Sequence, residues 1–405
     1  MNRRAFLARS CSMTAAALCG QRATAQLIAP PASDKKVAAL VTTYHRYSHA
    51  DNLVTRFMEG YSIVGKSFPP PCKVVSLYIE QVGETDIGRP LAKQWKVPLV
   101  KTIADALTLG GDKLAVDGVL LIAEHGDYPV NEKGQKLYPR RRFFEEVVKV
   151  FRDSKRTVPV FNDKHLAYNW KDAKWMYDQH KELGFPMMAG SSVPVAWRRP
   201  DLQPEAGIEW ERALGVGYGH PSYAEAFGYH TLEGLQVMME RRKGGETGVR
   251  AVQYLEGKEA WEAGRAGKWD RALLDAALAK VPVSERGKGK VEEEDAKALV
   301  YLIEYRDGLQ TAAYISPVHC QEFAFAGRAK GQAAPLACWF ELPKPQRDHF
   351  SFQAQAVARM MVTGKPSYPV ERTLLTTGLV DALLTSKLNG RQRVETRELD
   401  VNYKV

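Results

Sequence analysis

The sequence predicts an α/β protein, with a parallel sheet in its N-terminal half and an α+β domain with an open mixed or antiparallel sheet in its C-terminal half. Two patterns predict this division. From residue 36 to residue 195, short β-branched apolar runs alternate with segments of helical apolar spacing. After Trp197, strand-like runs follow one another and helices lie at the ends. A chain of 405 residues with 45% hydrophobic content can bury both cores, which excludes a disordered or fibrous protein.

The elements of the N-terminal half follow from the first pattern. Buried strands are predicted where apolar, largely β-branched residues run together, at Lys36–Tyr44, Cys72–Ile79, Pro98–Lys101, Asp117–Ala123, Thr157–Asn162 and Pro186–Gly190. Helices are predicted where apolar residues recur at helical spacing, at His49–Tyr61, Asp86–Trp95, Ile103–Leu109, Phe143–Ser154 and Asn169–Leu183. Because strands and helices alternate, the sheet is expected to be mostly parallel and covered on both faces.

The C-terminal half gives fewer helices and more adjacent strands. Helices are predicted at Tyr229–Arg242, Lys268–Lys280 and Phe352–Val362. Strands are predicted at Leu299–Arg306, Leu309–Ile315, Glu322–Arg328 and Leu336–Leu342, and a last strand-like segment at Arg393–Tyr403 is expected to pack back on the body. Asp307-Gly308 predicts a hairpin, and the charged segment Ser284–Asp295 predicts a solvated connector.

The first 25 residues are typical of an export signal. Arg3-Arg4 with Phe6-Leu7 resembles a twin-arginine pattern, and Ala23-Thr24-Ala25 is a small-x-small cleavage signal. The apolar run Ser12–Gly20 is too short to span a bilayer, which needs roughly 20 apolar residues. We therefore predict a signal peptide at 1–25, a periplasmic or secreted protein, and no membrane association after the signal is removed.

Charge and cysteine content exclude some classes of function. The net charge is +10, and the signal carries four positive residues and no acid, so the excess over the rest is mild and does not indicate a nucleic-acid partner. Of five cysteines, Cys11 and Cys19 lie in the signal. The remaining three, Cys72, Cys320 and Cys338, do not form a disulfide framework. A Cys320–Cys338 bridge and buried free thiols both stay open.

Polar residues follow several predicted strands. Ligands of parallel sheets bind at the carboxyl ends of the strands, so these positions carry the most functional weight. The first, second, fourth and fifth strands are followed by candidate ligand-binding residues, which are Thr42, Thr43, His45, Arg46, Glu80, Glu124, His125, Asp163 and Lys164.

The same strand ends allow a metal site as an alternative. Glu124 and Asp127, together with His125, His45, His49 and His165, could converge on a divalent cation. Their spacing matches no known ligand signature, so polar substrate contacts or hydrogen-bonded loops are favoured, and no metal site is predicted.

Two further features could contact a sugar or a phosphate. Arg140-Arg141-Arg142 is a short basic run, for which a solvated helix start is favoured over an anion contact. Trp197 and Arg198 follow the sixth predicted strand, where the aromatic face could form a platform for a sugar.

Two segments carry a resemblance to a known family. In Val158–Val195, a strand runs into Asp163-Lys164-His165, a helix follows, and the next strand ends in small residues. In Gly215–Gly257, a glycine-bearing stretch leads to a helix that bears His230. Both resemble the Gfo/Idh/MocA family of nicotinamide-dependent sugar oxidoreductases, which combine a Rossmann-like domain with an α/β domain. The resemblance divides the chain into a nucleotide-binding domain at 36–195 and a substrate and oligomerisation domain at 196–405.

The resemblance implies hydride transfer from a carbohydrate or polyol to tightly bound NAD or NADP. Such a reaction needs a base for the hydroxyl proton and a cation near the developing oxyanion. Lys164 matches the cation, His230 matches the base, and Asp163 is expected to orient Lys164. Dimers built through the open sheet of the second domain are typical of this family.

The chain departs from the family pattern in three places. The segment Val41–Ala50 has no glycine, although a glycine-rich turn normally lets the backbone approach the pyrophosphate. Thr42, Thr43, His45 and Arg46, with Ser48, would then hold phosphate through side chains, while Glu80 binds the ribose hydroxyls and Glu124 and His125 line the crevice. The family's acid four residues before the catalytic histidine is Ala226, with Glu225 one place earlier, and the proline after the lysine is His165.

These departures keep two alternatives open. The first is a degenerate sugar-binding member without redox chemistry, which would hold no nucleotide. The second is a metal-dependent hydrolase or lyase that uses the strand-end histidines and carboxylates.

Overall fold

The computed structural model describes residues 33–63, 65–343 and 347–405. In the N-terminal half it has these elements, in chain order: β1 (Lys36–Val41), α1 (His49–Glu59), β2 (Tyr61–Ile63), β3 (Lys66–Phe68), β4 (Lys73–Ile79), α2 (Gly88–Gln94), β5 (Leu99–Val100), α3 (Ile103–Thr108), β6 (Gly118–Ile122), α4 (Arg140–Ser154), β7 (Val160–Asp163), α5 (Trp170–Leu183) and β8 (Met187–Gly190). Every strand and helix predicted for this half is present, with ends that shift by a few residues.

Six strands of this half form one parallel sheet in the order β5-β4-β1-β6-β7-β8. Counted along the sheet by their order in the chain, these strands run 3-2-1-4-5-6, which is the arrangement of a dinucleotide-binding Rossmann sheet. The order reverses between β1 and β6, so the crevice for a ligand opens above the carboxyl ends of these two strands. Strands β6, β7 and β8 are buried along their whole length and β1 along nearly all of it, whereas β4 and β5 are partly exposed.

The C-terminal half has more strands than helices. Its elements, in chain order, are β9 (Trp197–Arg199), β10 (Trp210–Tyr218), α6 (Ala224–Met239), β11 (Glu246–Thr247), β12 (Val249–Glu256), α7 (Lys258–Arg265), α8 (Arg271–Leu278), α9 (Val291–Glu294), β13 (Leu299–Tyr305), β14 (Gln310–Ser316), β15 (Phe323–Ala329), β16 (Leu336–Glu341), α10 (Asp348–Thr363), α11 (Glu371–Leu388), β17 (Val394–Glu395) and β18 (Asn402–Tyr403).

An eight-stranded sheet organises this half, in the order β17-β12-β13-β14-β10-β15-β16-β9. The β10–β14 pair is parallel and the other pairs are antiparallel, so the sheet is mixed. The predicted fold class is therefore confirmed. The predicted hairpin at Asp307-Gly308 joins β13 to β14, and β17 and β18 pair with earlier strands as expected for a segment that packs back. The division at residue 195 stays a prediction.

Helix α6 packs directly against strand β10 because that strand carries glycines. A Cβ at Gly217 would lie 2.0 Å from Oγ1 of Thr231, and one at Gly215 would lie 3.0 Å from Cβ of Leu235. The glycines of the stretch that leads to the helix with His230 therefore lie within a strand, and they let α6 approach it closely.

Several predictions for the C-terminal half were wrong or incomplete. The helix predicted at Lys268–Lys280 is α8, with shorter ends, but α7 before it was not predicted, and the connector at Ser284–Asp295 contains the short helix α9. Helix α11 and strand β12 were not predicted. Helix α11 is buried on most of its circumference, so it has no amphipathic period to reveal it. Helix α10 packs back on the first sheet through Ala354, Val357 and Met361, a contact that no local pattern indicates.

Cys72, Cys320 and Cys338 are free and buried, which favours the thiol alternative over a disulfide. The predicted signal at 1–25, with Cys11 and Cys19, lies outside the described residues. Across the part of the chain that is described, no helix combines the length and the apolar character that a membrane span requires.

Candidate active site at the carboxyl edge of the first sheet

The candidate lysine lies on a strained turn directly after β7. Lys164 has φ 60°, in the left-handed region that a residue with a side chain rarely adopts, and its amide donates to Gly190 O at 3.1 Å. Its Nζ lies 3.0 Å from Oε1 of Glu124, and both side chains are buried. Arg140 forms an ion pair with the same carboxylate and is fully buried. Strained backbone of this kind is concentrated at functional sites, where the surrounding structure has to hold it.

Asp163 orients a different residue from the one predicted. Its Oδ2 accepts a hydrogen bond from Nδ1 of His49 at 2.6 Å, whereas Lys164 is held by Glu124. The expectation that Asp163 orients Lys164 is therefore corrected. His49 is the first residue of α1, so its side chain reaches from the helix that follows β1 to the end of β7. It packs there against His125 and Phe350, with ring centroids 5.3 Å and 5.4 Å away.

The candidate histidine belongs to a second buried chain of hydrogen bonds. Nδ1 of His230 lies 3.0 Å from Oγ of Ser191, which donates to Glu233 at 2.5 Å. Because the hydroxyl proton of Ser191 is used on Glu233, Nδ1 of His230 must be the donor to Oγ, and Nε2 is left as the acceptor. Tyr229 also donates to Glu233, at 2.9 Å. This network fixes the tautomer that a general base needs.

The turn from β7 joins these two networks. Lys164 pairs with the backbone of Gly190, the residue before Ser191, and the charge of Lys164 acts on His230.

Burial, followed by the charge of Lys164, lowers the pKa of His230 to about 4. Burial and then His49 lower the pKa of His125 to about 4. Burial raises the pKa of Glu124, but Lys164 and Arg140 outweigh it and hold the pKa well below its usual range.

The departures from the family pattern interact with one another. His165 stands where the family has proline, and its Nε2 lies 3.3 Å from Oε1 of Glu225 and 3.2 Å from Nη1 of Arg140. Burial and the charge of Arg140 lower the pKa of His165. Glu225 lies one position before the place of the family's acid, and it contacts His165. His230 is instead positioned by Ser191 and Glu233.

The turn after β1 was predicted to bind phosphate. Its side chains differ in whether they already have a hydrogen-bond partner within the protein. Thr42 donates to Glu124 O at 2.8 Å, and Ser48 accepts the amide of Asp51 as the N-cap of α1. Thr43 carries a buried hydroxyl without a partner among the described residues. His45 is half-buried and Arg46 is exposed, so of the five predicted side chains Thr43, His45 and Arg46 are free to contact a ligand.

Glu80 lies where this fold places the acid that binds ribose, and two residues hold it. Tyr128 donates to it, and Arg142 forms an ion pair with it. The basic run at 140–142 is therefore not a solvated helix start, because Arg140 is buried against Glu124 and Arg142 is bound to Glu80. Gln81, the residue after Glu80, forms two hydrogen bonds with the backbone of Asp127 across the end of β1. The amide of Asp127 donates to Oε1 of Gln81 at 2.8 Å, and Nε2 of Gln81 donates to Asp127 O at 3.0 Å.

A nucleotide fits part of this crevice. Glu80 can bind ribose, while the unpartnered Oγ1 of Thr43 and Nε2 of His125 offer buried hydrogen-bonding atoms at the point where the strand order reverses. The phosphate segment differs, because the first turn of α1 bears Asp51 and no glycine precedes it. The residues present fit a nucleotide held through side chains, with its phosphates away from the start of α1. No group of His, Cys, Asp and Glu within the described ranges is arranged to hold a metal ion.

Comparison with protein-family models and with curated proteins gives no match. Solved structures do match. The chain is similar to GenD2 from gentamicin A biosynthesis in complex with NAD, with a TM-score of 0.55, 14% identity, and coverage of 91% of this chain and 99% of that one. It is similar to myo-inositol dehydrogenase from Lactobacillus casei in complex with NAD(H) and myo-inositol, with a TM-score of 0.55, 11% identity, and coverage of 90% and 97%. A Gfo/Idh/MocA family oxidoreductase from Vibrio cholerae matches with a TM-score of 0.53, 12% identity, and coverage of 88% and 99%.

The chain has the Gfo/Idh/MocA fold. At these identities the likeness shows the fold alone, so the chemistry has to be argued from the residues of the crevice. Ser191 and Glu233 were not named from the sequence, whereas His49 was considered only for a metal site and Arg140 only for an anion contact. The position of Ser191 directly after β8 was a signal that could have identified it, whereas the roles of the other three depend on contacts between distant segments.

Proposed function

We propose that this protein is an exported oxidoreductase of the Gfo/Idh/MocA type that acts on a carbohydrate or polyol with tightly bound NAD or NADP. One observation carries the proposal: Lys164 and His230 lie in one buried electrostatic cluster at the carboxyl edge of a 3-2-1-4-5-6 sheet. Export rests on the sequence of residues 1–25, and dimerisation on the family resemblance. The neutral polyol class is consistent with the myo-inositol held by one structural neighbour.

Each of the main residues of the crevice can take a separate role in the oxidation of an alcohol. The ammonium of Lys164, fixed by Glu124, binds the substrate hydroxyl and stabilises negative charge on its oxygen. Nε2 of His230 accepts the hydroxyl proton, since burial keeps that imidazole neutral near neutral pH. Glu233, 3.7 Å from Nδ1, stabilises the imidazolium that results. NAD or NADP, held in the crevice, would supply the hydride acceptor for this oxidation.

A second candidate function is a sugar-binding protein without redox chemistry. The start of α1 favours it, because Ser48 caps the amide of Asp51, and the carboxylate of Asp51 places negative charge in the first turn, where a pyrophosphate would bind. The His49–Asp163 hydrogen bond also spans the strand ends from α1 to β7. In this alternative, the buried lysine and histidines would bind hydroxyl groups only.

Nucleotide content separates the two candidates. Protein expressed without residues 1–25 is denatured, and the released nucleotides are quantified by mass spectrometry. A stoichiometric amount of NAD(H) or NADP(H) is expected, whereas polyol binding without nucleotide would establish the second candidate. A panel of neutral polyols and aldoses, myo-inositol included, is then assayed for reduction of the bound nucleotide.

Lys164→Ala tests the catalytic assignment. Loss of the cation at the reacting oxygen is expected to lower kcat by about 10²–10³-fold. Lys174→Ala is the matched control, because Lys174 is half-exposed on α5 and pairs with Asp178 at 2.6 Å, away from the crevice. The control is expected to keep wild-type turnover. Equal activity of the two variants would contradict the role of Lys164.

A further inference from the structure

A second cavity, of about 730 Å³, lies outside the strand-end crevice. It is enclosed by the loop after β8, the C-terminal end of α6, one face of α10 and the segment between α10 and α11. Its volume is in the range of small-molecule sites, about 300–1,000 Å³. Four arginines and one acid line it together with aromatic rings, and the residues used below are Arg198, Glu240, Arg241, Phe352, Tyr368 and Arg372.

The single acid in the wall is already neutralised. Nε of Arg372 donates to Oε2 of Glu240 at 2.8 Å, and a second contact joins Nη2 to Oε1 at 2.5 Å. The hydroxyl of Tyr403 adds a further hydrogen bond to Glu240 at 3.0 Å. Glu240 and Arg372 therefore form a closed pair, and neither Arg198 nor Arg241 forms an ion pair with it among the described residues.

Arg198 is the most informative of these arginines. It is 8% exposed, and its guanidinium donates only to uncharged oxygens, including Oε1 of Gln203 at 2.6 Å and Pro194 O at 3.2 Å. Its Nε is buried without a partner among the described residues. Burial lowers the pKa of this guanidinium, although the charges of Asp201 and Glu240 act to raise it. A buried charge of this kind is costly unless an opposite charge joins it.

Two further residues of the cavity wall, Arg241 and Tyr368, also have unused charge or hydrogen-bonding capacity. Arg241 donates through Nε to Pro204 O at 2.7 Å, and it forms no ion pair with any residue in the described ranges. The buried hydroxyl of Tyr368 likewise finds no partner there. With Arg198, these groups bring two cations and two unused donors to the wall of one open cavity, and Phe352 adds an apolar wall.

We propose that this cavity binds a small organic anion, whose phosphate or carboxylate group is held by Arg198 and Arg241 and hydrogen-bonded by Tyr368. Guanidinium groups match the planar and tetrahedral oxygens of such anions through paired N–H donors. The aromatic walls accommodate the carbon skeleton of the ligand. None of the catalytic candidates lines the cavity, so this site does not depend on the proposed oxidoreductase function.

Isothermal titration calorimetry at constant ionic strength tests the site on protein expressed without residues 1–25. The probes are glucose 6-phosphate, glucuronate, inorganic phosphate and glucose. At least one of the two organic anions is expected to bind, and glucose is not. Which anion binds identifies the ligand chemistry as phosphate ester or carboxylate. Binding of inorganic phosphate alone would overturn an organic ligand, and no binding of any anion would overturn the site.

Arg241→Gln carries the mutational test, because Arg241 is only partly buried and its loss is expected to leave the fold intact. It should weaken binding of the organic anion by about tenfold or more. Tyr368→Phe should weaken it less. The matched control is Arg199→Gln, next to Arg198 in sequence but 47% exposed, paired with Glu341 and not part of the cavity wall.

The control is expected to bind as the wild type does. Wild-type affinity in Arg241→Gln would overturn the proposal. Nucleotide content is measured on the same samples, and Arg241→Gln should retain it, so failure of the anion site is distinguishable from failure of the proposed function.

Discussion

Helix α6 has a buried charged network at each end, and the two differ in how completely they are satisfied. Beyond its C-terminal end, Arg242 donates to Glu246 at 2.8 Å and 3.0 Å and to Asp307 at 2.6 Å, and Gln236 and Thr247 complete the set. No side-chain atom of this closed network is without a partner among the described residues.

The network toward the other end of α6, around Glu124, Lys164 and His165, leaves several atoms unused. Buried atoms without a partner in the described part of the chain include Oγ1 of Thr43, Nε2 of His125, Oδ1 of Asp163, Nε of Arg140 and Nδ1 of His165. Buried polar groups are nearly always hydrogen-bonded in folded proteins. The contrast indicates that the closed network serves stability, whereas the crevice network is incomplete until a ligand binds.

The largest expected effect comes from breaking the closed network. Arg242→Ala leaves the carboxylate of Glu246 buried without its cation, since the Glu246 side chain is 0% exposed. A loss of about 3–5 kcal/mol in the free energy of unfolding is expected, measured by urea denaturation. Arg393→Ala is the control, because its pair with Glu304 is about one-third exposed and is expected to contribute about 0–1 kcal/mol. A loss as small as that of the control would contradict the structural role.

Lowering the pH is expected to destabilise the crevice network before the closed network. His125 and His230, with pKa values lowered from 6.5 to about 4, and His349, lowered to about 3, take up protons in the unfolded chain before they do so in the folded one. The unfolded state therefore binds more protons between pH 6.5 and 4, and the free energy of unfolding falls as pH drops through this window.

Each of the three histidines is expected to contribute on the order of a few kcal/mol to this fall. Denaturation curves at a series of pH values measure it. His230→Gln is expected to reduce the slope, whereas changing His220, which is exposed, is expected to leave it unchanged. A stability that is flat from pH 6.5 to 4.5 would show that these histidines titrate normally.

The smallest expected effect comes from removing the hydroxyl of Thr43, which has no hydrogen-bond partner among the described residues. Thr43→Val replaces a hydroxyl without a partner by a methyl group, so the ligand-free protein should keep its stability or gain up to about 1 kcal/mol. Thr373→Val is the matched control, because its hydroxyl donates to Ala189 O at 2.8 Å and its loss should cost about 1 kcal/mol. Thermal and chemical denaturation of both variants give the comparison. An equal loss in both would mean that Thr43 has a hydrogen-bond partner in solution.

Most of the first sheet could be predicted from sequence because its signals are local. A buried β-branched run such as that of β6 and capped helices such as α1 and α5 are encoded within a few consecutive residues. Helix α11 escaped prediction for the opposite reason, since a helix buried on most sides has no periodic contrast between polar and apolar faces.

The candidate site divides in the same way. The sequence by itself determined that Lys164 follows a strand and that His230 lies on a helix, because each rests on a short motif. Only the tertiary structure decided that Glu124 holds Lys164, that Asp163 holds His49, and that Ser191 and Glu233 set the tautomer of His230. These partners are up to 114 residues apart in the chain, and the hydrogen bonds between them form only when strand ends and α6 meet at one edge of the sheet.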